Sequence, residues 1–214
     1  MMVCVRQGKR YGPEYVRVMA NMIASVDPGE SLVVLTDQPD TGTERKTVTA
    51  RPLKENLEGW WAKMELFAPW NRDLRPFLYI DLDCFLLDDP APLKNRDGLY
   101  LIQEFNKQRQ WKESNSSLIW VPAADGESDD IDTIWRHFMI DRPDKRAQFR
   151  GSDQRFISRY PHGMYTAEDG VYSYKAENIR TVRPCDARVI AFHGQPKPPD
   201  TEGWAKRMWE SYKA

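Results

Sequence analysis

The 214 residues suffice for one domain, 1–214, that buries a real core. With 31 Lys and Arg against 32 Asp and Glu, a formal charge of -1 argues against nucleic acid or an acidic membrane as a general electrostatic partner. Three cysteines, Cys4, Cys84 and Cys185, are odd in number and far apart, which fits reduced thiols rather than a disulfide frame or a metal finger. The opening "MMVCVRQGKRYGPEY" meets charges after a few apolar residues, so neither a signal peptide nor a membrane span is expected, and a cytoplasmic location is. Eight Trp and nine Tyr in a polar chain suggest a wet cleft with aromatic walls.

In chain order, "MVCVR" at 2–6 predicts a short buried strand. The turn "QGKRYGP" follows, then a helix from Glu14 to Val26 whose Val16, Met19, Ala20 and Ile23 recur at helical spacing. "SLVVLTD" predicts a second strand ending at Asp37, and "QPDTG" a loop. This β-α-β opening points to a parallel sheet. "EGWWAKMELFAPW" predicts a helix with Trp60 and Phe67 toward the core and Lys63 toward a cleft. "PFLYIDL" predicts the next strand, and "GLYLIQEF" and "NSSLIWVPA" two more. The acidic turn "DGESDDID" leads into a helix, "DTIWRHFMI", with acids suited to its N-terminus. "RGSDQRFIS" begins another helix, "ARVIAFH" is a last strand, and "EGWAKRMWESY" is a terminal helix. The fold class expected is α/β, a mainly parallel central sheet flanked by helices, whose ligand sits at the carboxyl ends of strands.

Chemistry concentrates at those strand ends. In "RPFLYIDLDCFLLDD", Asp81 and Asp83 are one residue apart where an apolar strand ends, and on a strand both face the same way. Two like charges so close call for something positive between them. Hard oxygen ligands suit magnesium or manganese held together with a substrate phosphate, while turn acids that cap a neighbouring helix are the plainer explanation. His193 follows "ARVIAF"; as a third ligand it would tilt the choice toward manganese, and otherwise it is a structural histidine. Lys197, between Pro196 and Pro198, could neutralise phosphate oxygens. Gly8, Lys9, Arg10 and Tyr11 occupy the first strand-to-helix loop. Asn115, Ser116 and Ser117 could bond a hydroxyl-rich ligand, and Asp153 and Gln154 lie in the first turn of a helix that Ser152 or Asp153 could cap.

The order of these pieces, "VRQGKRYGPEYVRVMANM", "VVLTD", "GWWAKMELFAP", "LYIDLDCFLLDD", "NSSLIWV", "GSDQRFIS" and "VIAFHGQPKP", resembles the nucleotide-diphosphosugar glycosyltransferases of GT-A fold. It is most similar to a small bacterial and phage branch related to glycosyltransferase family 8. The resemblance implies a D-x-D pair in Asp81 and Asp83, metal ligation by Asp83 and His193, and Asp81 bridging metal and ribose. It implies that Lys197, with Gly194 in its loop, holds the diphosphate, and that Tyr11 and Asp37 lie near the nucleobase. Lys63 would reach the donor phosphates or sugar, and Asn115, Asp153 and Gln154 the transferred sugar. Family 8 usually carries His-x-x-Gly-x-x-Lys-Pro-Trp; here Gly194 follows His193 directly and Pro199 stands in place of the Trp.

What the resemblance implies is metal-dependent transfer from a nucleotide-diphosphosugar, a UDP-sugar foremost, to a glycan or other acceptor hydroxyl, with retention, in surface glycan or polysaccharide synthesis. The implied cofactor is a divalent metal, manganese ahead of magnesium. Asp153 and Glu104 are the carboxylates to watch as a nucleophile, front-face attack being the other route. The competing readings are a nucleotidyltransferase that builds the activated sugar, for which "RQGKRYG" is a poor phosphate loop, and a binding domain without turnover.

Overall fold

The computed structural model describes residues 1–38, 40–105, 114–124, 130–140, 152–175 and 179–214. Most of the acidic turn before the second helix, and Gly151 of "GSDQRFIS", lie outside them.

A seven-stranded sheet runs in the order β3-β2-β1-β4-β7-β6-β8. Its strands are β1 (Met2–Arg6), β2 (Leu32–Thr36), β3 (Val48–Pro52), β4 (Phe77–Ile80), β6 (Tyr100–Ile102), β7 (Asn115–Val121) and β8 (Gly163–Tyr165). Only β7 runs against its neighbours, pairing antiparallel with both β4 and β6. The first four strands make a parallel block, as the β-α-β opening predicts. Alternation along β1 and β4 sends side chains to both faces, and both faces are covered. Met2, Cys4, Leu78 and Ile80 join one core with α1 (Pro13–Val26); Val3, Phe77 and Tyr79 join the other with Trp61, Met64 and Phe67.

α1 begins one residue before its predicted start, because Pro13 at its first turn lacks the N–H that would be unpaired there anyway. Among the described residues three further α-helices follow: α2 (Asp130–Ile140), α3 (Asp153–Ile157) and α4 (Gly203–Lys213), the last packed on α1. Ser152 caps α3 by accepting the Arg155 N–H at 3.4 Å.

The segment predicted as a helix from "EGWWAKMELFAPW" is a 3-10 run, Gly59–Phe67, and a second 3-10 run, Pro69–Leu74, follows it. Three residues per turn align Trp61, Met64 and Phe67 in one row, all buried, which the apolar spacing permits as readily as an α-helix. Trp60 therefore leaves the core and is 55% exposed, against expectation, while Phe67 is buried as expected. Glu65, fully buried, holds the run in place by accepting the N–H groups of Lys54 and Glu55 at 2.8 and 2.9 Å and the Trp70 indole at 3.2 Å.

A second sheet, β5 (Cys84–Leu86), β10 (Val189–Ala191) and β9 (Val171–Ser173), is built from three-residue strands. β5 pairs antiparallel with β10, Cys84 opposite Ala191. Phe85 meets Phe192 edge-on at 4.8 Å, and each buried ring contributes on the order of 1.5–3 kcal/mol. This small sheet brings residues 81–83 beside residues 192–197. The cysteines are all free thiols.

Candidate active site at the sheet switch point

β2 and β3 lie to one side of β1 and β4 to the other, so the chain order switches between β1 and β4. Loops leaving the carboxyl ends of two such strands part and leave a crevice. A cleft of about 680 Å³ opens there. Its walls include Arg10, Tyr11, Lys63, Asp81, Asp83, Glu104, Asn115, Asp153, Gln154, His193, Gly194 and Lys197.

The acid pair sits beyond the strand rather than on it. β4 ends at Ile80, and Asp81 accepts the Cys84 N–H at 3.0 Å, closing a tight turn over Leu82 and Asp83. The turn, not strand alternation, brings the two carboxylates to one cleft. It is pinned to β7 by the Asp81 N–H, which donates to Ser117 O at 2.8 Å.

The positive charge that the pair requires comes from two lysines, one for each acid. Lys63 Nζ lies 3.0 Å from Asp81 Oδ1 and 3.3 Å from Asp153 Oδ2. It also donates to Ser116 O at 3.0 Å and Ser116 Oγ at 3.1 Å. Ser116 Oγ in turn donates to Asp153 Oδ2 at 2.7 Å, and the Tyr79 hydroxyl donates to Asp81. Lys197 Nζ donates to Asp83 Oδ2 and, at 3.1 Å, to Phe192 O. Tyr11 donates its hydroxyl to the same Asp83 oxygen at 2.8 Å. All of Lys63, Asp83, Asp153 and Lys197 are less than a tenth exposed.

Burial shifts these groups in different directions according to their partners. Burial pushes the Asp81 carboxyl up, but the Lys63 ammonium and the donors from Tyr79 and Ser117 outweigh it, and Asp81 ends below the usual carboxylate range. Burial and the Asp81 charge push Asp83 above that range despite Lys197 and Tyr11. Burial alone would depress Lys63; Asp153 and Asp81 together raise it. The Tyr11 hydroxyl is pushed up by burial and by Asp83, so it stays a donor.

No protein-family model matches the chain, and no curated protein sequence matches it. Solved structures do. The chain superimposes on the galactosyltransferase LgtC in complex with donor and acceptor sugar analogues with a TM-score of 0.68 and 14% identity, covering 99% of this chain and 94% of that one. The glycosyltransferase GlyE of Streptococcus pneumoniae TIGR4 gives 0.67 and 12%, covering 99% of this chain and 60% of that one. Mouse xyloside xylosyltransferase 1 gives 0.56 and 9%, covering 91% and 97%.

The chain has the GT-A glycosyltransferase fold.

In this GT-A fold, ten of the eleven residues singled out from the sequence as site candidates border the cleft, and so does Glu104. The other is Asp37. Its carboxylate accepts the Gly8 N–H at 3.1 and 3.0 Å and so shapes the first loop, at a residue whose φ of 63° suits glycine. Sequence reasoning missed Tyr79, which donates to Asp81, and Ser173, which meets His193. The strand alternation of "FLYI" puts Tyr79 on the cleft side of β4, a signal that was available.

Asp81 and Asp83 are two carboxylates bordering one cleft, and this oxygen donor chemistry fits a hard divalent metal. His193 borders the same cleft, but its Nε2 lies 2.6 Å from Ser173 Oγ and its ring stacks on Phe105 at 5.4 Å. Among the described residues no three His, Cys, Asp or Glu side chains are gathered as a ligand set. A preference for manganese therefore requires the His193 imidazole to exchange Ser173 for metal.

Gly194 turns the chain from His193 toward Lys197 at φ 69°, and a Cβ there would come within 3.0 Å of Lys175 Nζ. Gly194→Ala is expected to cost about 1 kcal/mol, mostly from the left-handed backbone, and Gly194→Asn less. Urea unfolding of the two variants checks this; an alanine variant as stable as the parent contradicts it.

Proposed function

We propose that residues 1–214 form one domain that transfers a sugar from a nucleotide-diphosphosugar, a UDP-sugar foremost, to an acceptor hydroxyl with the help of a divalent metal and with retention. The observation that carries this reading is the D-x-D turn at the sheet switch point, with a separate lysine on each acid. Support also comes from the fold, which this chain shares with the galactosyltransferase LgtC and the other glycosyltransferases above.

The bond from the anomeric carbon to the β-phosphate oxygen breaks, and one to the acceptor oxygen forms as the acceptor's proton passes to the departing phosphate oxygen. The leaving diphosphate gains negative charge. A metal held by Asp81 and Asp83, with His193 as the further candidate, would supply Lewis-acid stabilisation of that charge. Lys197 adds a preorganised ammonium from the β10 side. The nucleoside is assigned to Tyr11 and the Gly8 loop, with Asp37 acting through that loop. Asn115 and Gln154 border the part of the cleft assigned to the sugar. Asp153 is assigned to sugar binding rather than nucleophilic attack, because Lys63 and Ser116 both occupy its Oδ2. That assignment leaves Glu104, which also borders the cleft, as the remaining candidate nucleophile, with front-face attack without one as the other route to retention.

The experiment is a thermal-shift series with UDP, GDP and free phosphate, each with and without manganese. UDP with manganese at about 100 times its Kd is expected to raise Tm by roughly 5 °C, and UDP alone far less. No shift with any nucleotide would remove the reading. Pyrophosphate release from a nucleoside triphosphate and a sugar phosphate would transfer it to nucleotide-sugar synthesis.

A further inference from the structure

We propose that Lys197 is a tethered counter-cation that holds the Asp83 position until nucleotide arrives, so that metal and diphosphate enter the cleft as a pair and neither binds well alone. The inference rests on the glycosyltransferase reading and adds an order of events to it.

Three observations carry it. First, the ammonium of Lys197 sits directly on Asp83 Oδ2, which also accepts the Tyr11 hydroxyl. A metal ion reaching that oxygen would meet a like charge already in contact with it. Second, the cluster is nearly charge-balanced by itself. Asp81, Asp83 and Asp153 carry three negative charges, and Lys63 and Lys197 two positive ones, all in a largely buried place where a net charge is costly. A dication alone reverses the sign of that balance, and a diphosphate alone deepens the negative excess. A dication together with the diphosphate diester of a donor is neutral and leaves it unchanged, and a dication with UDP, whose free terminal phosphate carries one further charge, shifts it by less than either does alone.

Third, the Lys197 backbone is held, and its ammonium, bonded to Asp83 and to Phe192 O, borders the cleft. Its N–H donates to Gln195 Oε1 at 3.1 Å, and Pro198 opens a 3-10 turn behind it. The four-carbon stem can exchange a carboxylate oxygen for a phosphate oxygen without moving that frame. Lys63 differs: it is bonded to Asp81, Asp153 and two atoms of Ser116, and has no such freedom.

Calorimetric titration tests this with MnCl2 and UDP, each alone and each in the presence of the other. Wild-type protein is expected to bind Mn²⁺ at least about tenfold more tightly when UDP is present. Lys197→Met is expected to tighten Mn²⁺ binding without UDP by about tenfold, and Asp83→Asn to tighten UDP binding without metal by a similar factor, since each frees the partner of the lost group. Lys175→Met removes another positive charge bordering the cleft, from a lysine whose ammonium donates to Gln195 O, and is expected to change Mn²⁺ affinity by less than about threefold.

Unchanged or weaker Mn²⁺ binding by Lys197→Met overturns the inference, as does equal tightening by Lys175→Met. Either Lys197→Met or Asp83→Asn decides the matter if the other does not fold. Wild-type protein that takes up neither UDP nor Mn²⁺ when both are present removes the glycosyltransferase reading itself, and the inference with it.

Discussion

Asp83→Asn is expected to lower sugar transfer, or donor hydrolysis, by about 10³-fold while the folded protein persists. The substitution keeps the shape of the turn over Leu82 and Asp83 and leaves the Asp81 hydrogen bond to Cys84 in place. What it removes is one of two carboxylates for the metal and the resting partner of Lys197. The loss should appear in the rate at saturating donor and persist at high metal concentration, because added metal cannot restore the missing ligand. UDP release from a UDP-sugar, followed with manganese and then with magnesium, measures it. Full activity of Asp83→Asn would remove Asp83 from the metal site.

Lys63→Met is expected to act on stability as strongly as Asp83→Asn acts on rate. Lys63 is 5% exposed and is the ammonium shared by Asp81 and Asp153. Its removal strands both carboxylates beside a cleft, and breaking a buried pair in this way costs about 3–5 kcal/mol. For a chain of this size, Tm should fall by roughly 10 °C. Adding Asp153→Asn, which takes away one of the stranded charges, should recover part of the loss. A double variant less stable than Lys63→Met would contradict the ion-pair account, since the second change would then act independently of the first.

Much of the central sheet can be read from apolar runs alone. "MVCVR", "LVVLT", "FLYI" and "NSSLIWV" are buried on both faces, so burial leaves a continuous hydrophobic imprint. β3 leaves none. Val48–Pro52 is an edge strand with several exposed residues, and its sequence, "VTARP", has the polarity of a loop. The strands β5, β8 and β9, three residues each, carry no period; β6 and β10 are as short but sit in the apolar runs "GLYLIQEF" and "ARVIAFH". The 3-10 run escaped for a different reason: apolar residues at 61, 64 and 67 fit a three-residue repeat and a 3.6-residue repeat equally well over two turns.

Within the cleft, residue types at strand ends were informative, and partners were not. Asp81, Asp83, His193 and Lys197 could be picked out because acids, an imidazole and a proline-framed lysine stood where apolar strands stop. That Lys63 belongs to Asp81 and Asp153, and Lys197 to Asp83, depends on contacts 18 to 114 positions apart, which no local pattern records. Asp37 came from the resemblance rather than from a local pattern, and its carboxylate accepts the Gly8 N–H, a partner 29 positions away that the sequence does not announce.

The pairing of β5 with β10 has a consequence for how the site comes into being. Residues 83 and 197 are separated by 114 positions, so at usual rates of synthesis the acid turn leaves the ribosome on the order of ten seconds before its second lysine. During that interval Lys63 and the Tyr11 hydroxyl can already be present, but no ammonium faces Asp83. Closing so long a loop is entropically late work, and three rungs of a small sheet are all that completes it. A chain interrupted before β10 can assemble the parallel strands β1 to β4 and still lack the half of its site that quiets the acid pair.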